Sequence, residues 1–195
     1  MRILFIGNSH TYFNDLPYIF KKICEENNIE TEVTMLARAY KGLDYHCEEH
    51  QTRFNILFGN YDYIILQHSQ SGFDRDILFE SVAKLKKYID ETKAVPVLYM
   101  TWTLKSEREK QEYMTSGYID AGKKFNIKVA PAGEVWWKFL DKFPDKNLYF
   151  TDDKHPSELG STLAAYTIFN AVFGKTAHTE NADYQKMNDI INTTK

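Results

Sequence analysis

A serine follows the first apolar run of the chain at a position suited to nucleophilic chemistry. Residues 3–6 have the pattern of a buried strand, and GNSHT (residues 7–11) comes directly after them. A serine between a strand and a helix lies near the helix N-terminus, where the partial positive charge favours an oxyanion. Thr11 takes the place of the second glycine of G-x-S-x-G, so that motif is absent. Three roles for Ser9 are open at this point: nucleophile, phosphate ligand or helix cap.

An aspartate lies three residues before a histidine in DDKHP (residues 152–156). In a turn, this spacing brings the Asp152 carboxylate to Nδ1 of His155 and leaves Nε2 free, as a serine hydrolase requires of its base. Pro156 keeps His155 out of the α region and favours a helix start directly after it. Asp153 is the rival orienting residue. The segment therefore predicts a general base held by a carboxylate.

Two other interpretations concern zinc and phosphate. HCEEH (residues 46–50) matches H-x-x-E-H, in which two histidines on one helix face bind zinc. No spacing marks a third ligand, so a polar face of a surface helix is the favoured interpretation. The loop after the first strand could instead wrap a phosphate through Asn8, Ser9 and Thr11. This non-catalytic, small-molecule-binding module is kept as the alternative, although it leaves DDKHP without a function.

The elements that must position these residues follow from the hydrophobic pattern. Short apolar runs predict strands at 2–6, 31–36, 63–67, 95–100 and 127–130. Amphipathic or capped segments predict helices from Asn14 or Asp15 to the ENNIE segment and over 44–57, 76–92, 106–125, 132–140 and 156–173. The segment 180–195 is expected to be a weakly helical, peripheral part of the same domain.

Strands that alternate with helices predict an α/β fold with a parallel sheet. We expect one domain over residues 1–195, a three-layer α/β/α sandwich. Its flavodoxin-like, doubly wound, five-stranded parallel sheet would have the order 2-1-3-4-5. Ligands of such sheets bind beyond the carboxyl ends of the strands, and both GNSHT and DDKHP are expected there.

The two polar segments together resemble the SGNH (GDSL-like) hydrolase superfamily. GNSHT resembles the first block of that family, and YFTDDKHPSELGSTLAAY (residues 149–166) resembles its last block. FIGNSHT (residues 5–11) and PAGEVW (residues 131–136) are similar to segments of one branch. The resemblance runs from residue 1 to about residue 174. It implies a catalytic triad of Ser9, His155 and Asp152, since only Asp152 has the family's spacing.

The resemblance also implies an oxyanion hole formed by the Ser9 N–H, a glycine N–H and an asparagine side chain. ARAYKGLDYH (residues 37–46) has Ala39-Tyr40 where the family has two glycines. The donor is therefore either Tyr40 or, after a local shift, Gly42, which is slightly favoured.

The third block, LQHSQ (residues 66–70), contains no asparagine. Gln70 is predicted to supply the side-chain amide, with Gln67 as the alternative. Trp102, after the fourth strand, is predicted as a substrate wall, with packing at the rim as an equal alternative. His10 and His68 are interpreted as polar loop residues.

The function implied by this resemblance is a serine esterase or acylhydrolase. It would cleave a short acyl group such as acetyl from a sugar or another small alcohol, through an acyl-enzyme. Its partner would be a small-molecule ester. No metal and no organic cofactor is implied.

Composition excludes several other classes. Hydrophobic residues make up 43% and charged residues 26% of the chain, as in soluble globular proteins. The net charge of −3 favours neither nucleic acid nor a membrane surface. No run is long enough for a membrane span, and the polar GNSHT interrupts any signal-peptide core. Only two cysteines occur, which suits the cytoplasm.

Overall fold

The five predicted apolar runs form a single parallel sheet in a computed structural model that describes residues 1–194. The sheet order is β2-β1-β3-β4-β5, as the sequence predicts. In chain order the strands are β1 (Arg2–Gly7), β2 (Glu32–Ala37), β3 (Tyr63–Leu66), β4 (Val95–Tyr99) and β5 (Lys128–Ala130). The register pairs Ile6 of β1 with Leu36 and with Leu66, so the strand ends that carry the polar loops meet at one edge.

Helices cover both faces of this sheet, which confirms the three-layer α/β/α fold. They are α1 (Ser9–Tyr12), α2 (Leu16–Glu26), α3 (Leu43–His46), α4 (His50–Phe58), α5 (Arg75–Ile89), α6 (Gln111–Phe125), α7 (Ala132–Lys142), α8 (Glu158–Phe173) and α9 (Ala182–Thr193). Short 3-10 turns span Phe13–Asp15 and Lys105–Lys110.

Alternate residues of the strands enter two separate cores. On β1, Ile3 and Phe5 join the core beneath α2, α7, α8 and α9, while Leu4 and Ile6 join the core beneath α5 and α6. All four side chains are fully buried, because both faces of a parallel sheet are covered. Burial on both sides gives β1 a rigid carboxyl end, from which Ser9 projects.

Two helix predictions and one loop prediction differ from the structure. The helix expected over 44–57 is two helices, since α3 ends at His46 and Glu49 has an extended backbone before α4. The His46 ring is buried and hydrogen bonds the Gly7 carbonyl at 2.7 Å, which draws α3 under the end of β1. The loop expected after β1 contains α1. The helix expected from 106 starts at Gln111, after a 3-10 turn that is kinked at Glu107.

The C-terminal segment forms α9, which packs on α7 and α8. Met187 of α9 is fully buried, and Ile190 and Ile191 are nearly so. The helix therefore completes one of the two cores. Among residues 1–194, no helix is both long and apolar enough to cross a membrane.

Candidate active site

Ser9 begins α1 at the carboxyl end of β1. Asn8 caps this helix, because its Oδ1 accepts the His10 N–H at 3.0 Å. The Asn8 N–H donates to Oε1 of Gln67 at 2.8 Å, and its side-chain amide donates to the Lys41 carbonyl at 2.9 Å. Asn8 thus ties the serine loop to the loops after β2 and β3. Ser9 itself is 8% exposed, at the surface of a pocket.

His155 lies directly beside Ser9. The Ser9 hydroxyl donates to Nε2 of His155 at 2.8 Å, and Nδ1–H of His155 donates to Oδ2 of Asp152 at 2.5 Å. An ionised carboxylate can only accept hydrogen bonds, so the proton belongs on Nδ1 and Nε2 is left as an acceptor. The tautomer is the one that a general base for Ser9 requires.

The Asp152 carboxylate is held ionised. Its other oxygen, Oδ1, accepts the backbone N–H groups of Lys154 (3.1 Å) and His155 (2.9 Å). Partial burial raises the pKa of Asp152, but hydrogen bonds from the His155 ring and from these two N–H groups outweigh it and lower the pKa to about 2. Asp153 points away, in an ion pair with Lys105 at 3.3 Å, so Asp152 is the aspartate that meets His155.

Two aromatic rings flank the His155 imidazole. Phe13 stacks on it with ring centroids 4.3 Å apart and 10° between the planes. His10 lies 5.4 Å away between His155 and Trp102. Burial, followed by the charges of His155 and Lys154, lowers the pKa of His10 to about 3, so this ring is neutral. Sequence reasoning missed Phe13 and treated His10 as a polar loop residue; His10 is in fact 1% exposed.

Trp102 supports the histidine loop from beneath. Its indole N–H donates to the Lys154 carbonyl at 3.1 Å, and its ring stacks on Trp136 with centroids 3.7 Å apart. The side chain is fully buried, so it has no face to offer a substrate. This differs from the predicted substrate wall. The packing alternative describes Trp102 better.

The serine and histidine segments are joined by a further polar contact. The Asn14 side chain donates to the Pro156 carbonyl at 3.0 Å and to Oγ of Ser161 at 2.9 Å. Asn14 and Asp15 both have positive φ, 52° and 54°, which turns the chain sharply between α1 and α2. An asparagine tolerates this conformation better than most residues, which was the available sequence signal.

The two glutamines of the third block have different environments. Gln67 is fully buried, and its Oε1 accepts the Asn8 N–H and the Thr11 hydroxyl, while Nε2 donates to the His68 carbonyl. Both polar atoms of its amide therefore have partners inside the protein. Gln70 is 7% exposed, and its Nε2 has no hydrogen-bond partner among residues 1–194. Gln70 is also one of the residues that line the Ser9 pocket.

The second block places Tyr40, not Gly42, against the Ser9 pocket. Tyr40 has φ 63°, in the left-handed region that glycine adopts at no steric cost. Gly42 has an extended backbone at the start of α3, and a Cβ there would come within 2.8 Å of the His68 ring. Glycine is thus needed at 42 for close packing, and Tyr40 has the glycine-like backbone.

The pocket beside Ser9 is small. It measures about 340 Å³ with its open mouth included. Its lining residues are mostly polar: Asn8, Ser9, His10, Tyr40, Ser69, Gln70, Ser71 and Lys154. The Lys154 ammonium lies 5.6 Å from the centre of the exposed Tyr40 ring, and the two side chains stand together at the rim.

The positions of the residues in the zinc and phosphate motifs do not suit these ligands. His46 and His50 belong to separate helices, and the His46 ring is occupied by the Gly7 carbonyl. No group of three or more histidine, cysteine or acidic side chains suited to a metal occurs in the described part of the chain. Asn8 and Thr11, which the phosphate alternative would use as ligands, hydrogen bond within the protein. His68 is buried, and its Nδ1 accepts the Leu43 N–H at 3.0 Å.

The parallel five-stranded sheet with helices on both faces is an α/β fold that the chain shares with a solved SGNH hydrolase. Several solved structures with this fold match the chain over most of its length. A candidate SGNH hydrolase from Slackia heliotrinireducens is 24% identical with a TM-score of 0.69, and the match covers 88% of this chain and 98% of that one. A DUF4886 family protein from Bacteroides uniformis is 16% identical with a TM-score of 0.83, over 99% and 93% of the two chains.

A variant of an acetyl xylan esterase from Geobacillus stearothermophilus also shares the fold. It is 12% identical with a TM-score of 0.69, over 91% of this chain and 97% of that one. No family model matches the chain, and no curated protein matches it in sequence. The chain therefore has the fold of the superfamily that its sequence resembles.

Proposed function

We propose that this protein is a serine esterase that cleaves short acyl esters. Ser9 is the nucleophile, His155 the general base and Asp152 the residue that orients the imidazole. The observation that carries this proposal is the continuous hydrogen-bonded chain from Asp152 through His155 to Ser9, at the carboxyl edge of the sheet. Neighbouring structures that include an SGNH-type hydrolase and an esterase support the same reaction class.

The reaction proceeds through an acyl-enzyme. Nε2 of His155 accepts the Ser9 proton as Oγ bonds to the ester carbonyl carbon. The tetrahedral intermediate then breaks its bond to the alcohol oxygen, which leaves with the proton from His155. Water, activated by the same Nε2, attacks the acyl-enzyme and releases the acid. Asp152 stays ionised throughout and stabilises the transient imidazolium.

Three donors stabilise the oxyanion. They are the Ser9 N–H at the start of α1, the Tyr40 N–H and the Gln70 amide. We prefer Tyr40 to Gly42, because Tyr40 lines the pocket and has the backbone conformation of a glycine. Gln70 is preferred to Gln67, because only Gln70 has an unused Nε2. Each such donor contributes about 10²–10³ to the rate of comparable enzymes.

The pocket favours a small acyl group. A space of about 340 Å³ fits an acetyl group better than a long alkyl chain. An acylated carbohydrate is the alcohol class we propose, in line with the sequence resemblance and with one structural neighbour being an acetyl xylan esterase. The proposal uses no metal and no organic cofactor.

Hydrolysis of p-nitrophenyl acetate by purified protein tests this proposal. Ser9→Ala is expected to lower kcat/KM by at least about 10³-fold, because the acyl-enzyme can no longer form. Ser69→Ala is the matched control, since Ser69 lines the same pocket but its hydroxyl donates to the Ser71 carbonyl. A serine-directed phosphonate should label Ser9 in the wild type and react far more slowly with His155→Ala. Hydrolysis that persists in folded Ser9→Ala would overturn the proposal.

A further inference from the structure

A second, larger pocket adjoins the Ser9 pocket and shares Gln70 with it. It lies between the loop after β3 and the segment that links β4 to α6, and it measures about 890 Å³ with its mouth included. Gly72 and Phe73 line one side. Thr103, Glu109 and Tyr113 line the other. The proposed triad makes no use of these residues.

One buried polar group at this pocket has no partner and no part in the proposed oxyanion hole. It is Oγ1 of Thr103, a residue that is 3% exposed. Among residues 1–194, this hydroxyl makes no hydrogen bond. The Thr103 backbone is fixed on both sides, since its N–H donates to Gln111 at 2.9 Å and its carbonyl accepts the Tyr149 hydroxyl at 2.8 Å. A buried polar group without a partner is rare in folded proteins, and a bound ligand is one of the partners that can satisfy it.

The pocket also has an aromatic surface. Phe73 stacks on Tyr118 with centroids 5.7 Å apart and 16° between the planes. It lies over Gly117, where a Cβ would come within 2.9 Å of the ring, so the absence of a side chain makes room for Phe73. Tyr113 meets the Phe73 edge at 5.8 Å and is 54% exposed. An exposed aromatic face beside fixed polar groups suits the ring of a sugar.

An ion pair holds part of the outer wall of the pocket. Lys110 pairs with Glu107 at 2.6 Å, and both residues line the pocket. Glu109 forms no ion pair within the described residues, so its carboxylate is available to accept hydrogen bonds. The outer wall is therefore held in place before a ligand binds, and it carries hydrogen-bond acceptors.

A hydrogen bond connects the outer wall of the larger pocket to the loop that carries His155. The Lys105 N–H donates to the Asp153 carbonyl at 3.1 Å, which joins the start of the wall to the loop that carries His155. In the proposed reaction, an ester that spans both pockets has its acyl group in the smaller pocket beside Ser9 and its alcohol in the larger one, which adjoins it at Gln70.

We propose that the larger pocket binds the carbohydrate alcohol of the ester, an inference that rests on the proposed function. The sugar ring lies against Tyr113 and Phe73, and its hydroxyls bond Thr103 and Glu109. The ester C–O bond breaks between the two pockets. The sugar leaves with the proton from His155, while its acetyl group stays on Ser9 until water removes it.

The test compares a sugar ester with an ester that lacks the sugar. With acetylated methyl xyloside, Tyr113→Ala should raise KM about tenfold more than with p-nitrophenyl acetate, which corresponds to an interaction of roughly 1.4 kcal/mol. Thr103→Val, which keeps the volume, should act in the same direction. Tyr18→Ala is the matched control, because Tyr18 is also 54% exposed but lies on α2. An equal change in KM for both substrates overturns the inference. A much higher kcat/KM for acetylcholine than for the sugar ester also overturns it.

Direct binding separates this inference from the proposed function. Saturation-transfer NMR with methyl xyloside on Ser9→Ala protein should give a signal that Tyr113→Ala removes. Ser9-dependent hydrolysis of p-nitrophenyl acetate without xyloside binding overturns the carbohydrate pocket alone. Tyr113-dependent xyloside binding without any ester hydrolysis overturns the esterase and leaves the pocket assignment in place.

Discussion

The ring of Phe13 lies parallel to the ring of His155, with 4.3 Å between the centroids. Phe13 follows the nucleophile by four residues, and Phe150 packs against its edge at 5.7 Å. Asp152 restrains the imidazole in its plane through Nδ1, whereas Phe13 restrains it perpendicular to that plane. These two contacts fix the direction of Nε2 toward Ser9.

Removal of the Phe13 ring is expected to give the imidazole of His155, the general base, more freedom to move. Phe13→Ala should lower kcat for p-nitrophenyl acetate by roughly 10–100-fold, because a small displacement of a catalytic group has a large effect on rate. KM should change less, and Phe13→Tyr should restore most of the rate. Phe54→Ala on α4, a surface aromatic, is the control. A rate unchanged in Phe13→Ala would mean that Asp152 alone orients the ring.

The stability of the protein should depend on Asp152 in a defined pH window. Its pKa is about 2 in the folded protein against an ordinary 3.8, so the ionised carboxylate favours the folded state above about pH 4. This contribution is lost as the pH falls toward 2. Urea unfolding of wild type and Asp152→Asn should therefore differ at pH 7 and converge near pH 2. Ser9→Ala, which keeps the Asp152–His155 pair, should follow the wild-type pH dependence.

Variants of the two glutamines after β3 should distinguish a loss of catalytic rate from a loss of folding stability. Gln70→Leu is expected to lower kcat by about 10²–10³-fold with little effect on stability, since its amide makes no internal hydrogen bond. Gln67→Leu leaves the buried Asn8 N–H and the Thr11 hydroxyl unpaired, and should destabilise the fold by roughly 2–4 kcal/mol. Kinetics and urea unfolding on both variants make the comparison. The reverse pattern would assign the oxyanion donor to Gln67.

Tyr40 should tolerate glycine better than any branched residue. Its left-handed backbone is strained for a side chain, and the exposed Tyr40 ring loses little burial on removal. The free energy of unfolding of Tyr40→Gly should equal that of the wild type or exceed it by up to about 1 kcal/mol. That of Tyr40→Val should be lower by about 1 kcal/mol. The wider pocket of Tyr40→Gly should also lower KM for bulkier acyl esters. Equal stability of the glycine and valine variants would show that the backbone at 40 is unstrained.

Local patterns in the chain determined the scaffold. Five apolar runs of four to six residues separated by amphipathic helices favour a parallel sheet, and the predicted order 2-1-3-4-5 is confirmed. The Asp152–His155 contact also follows from local spacing, because three residues in a turn suffice to bring a carboxylate to an imidazole. Helix limits were predicted less well where long-range bonds decide them, as the break after His46 illustrates.

The surroundings of Ser9 were decided only by the tertiary structure. Gln67 and Gln70 are chemically identical and three residues apart. Gln67 has its amide oxygen engaged because the segment after β1 brings the Asn8 N–H and the Thr11 hydroxyl to it. The amide nitrogen of Gln70 has no partner among the described residues. Trp102 is buried because Trp136 and the Lys154 carbonyl reach it from distant segments. Sequence periodicity reports which side chains are apolar and how they alternate. It carries no information about partners far along the chain, and those partners determine which polar groups remain free for chemistry.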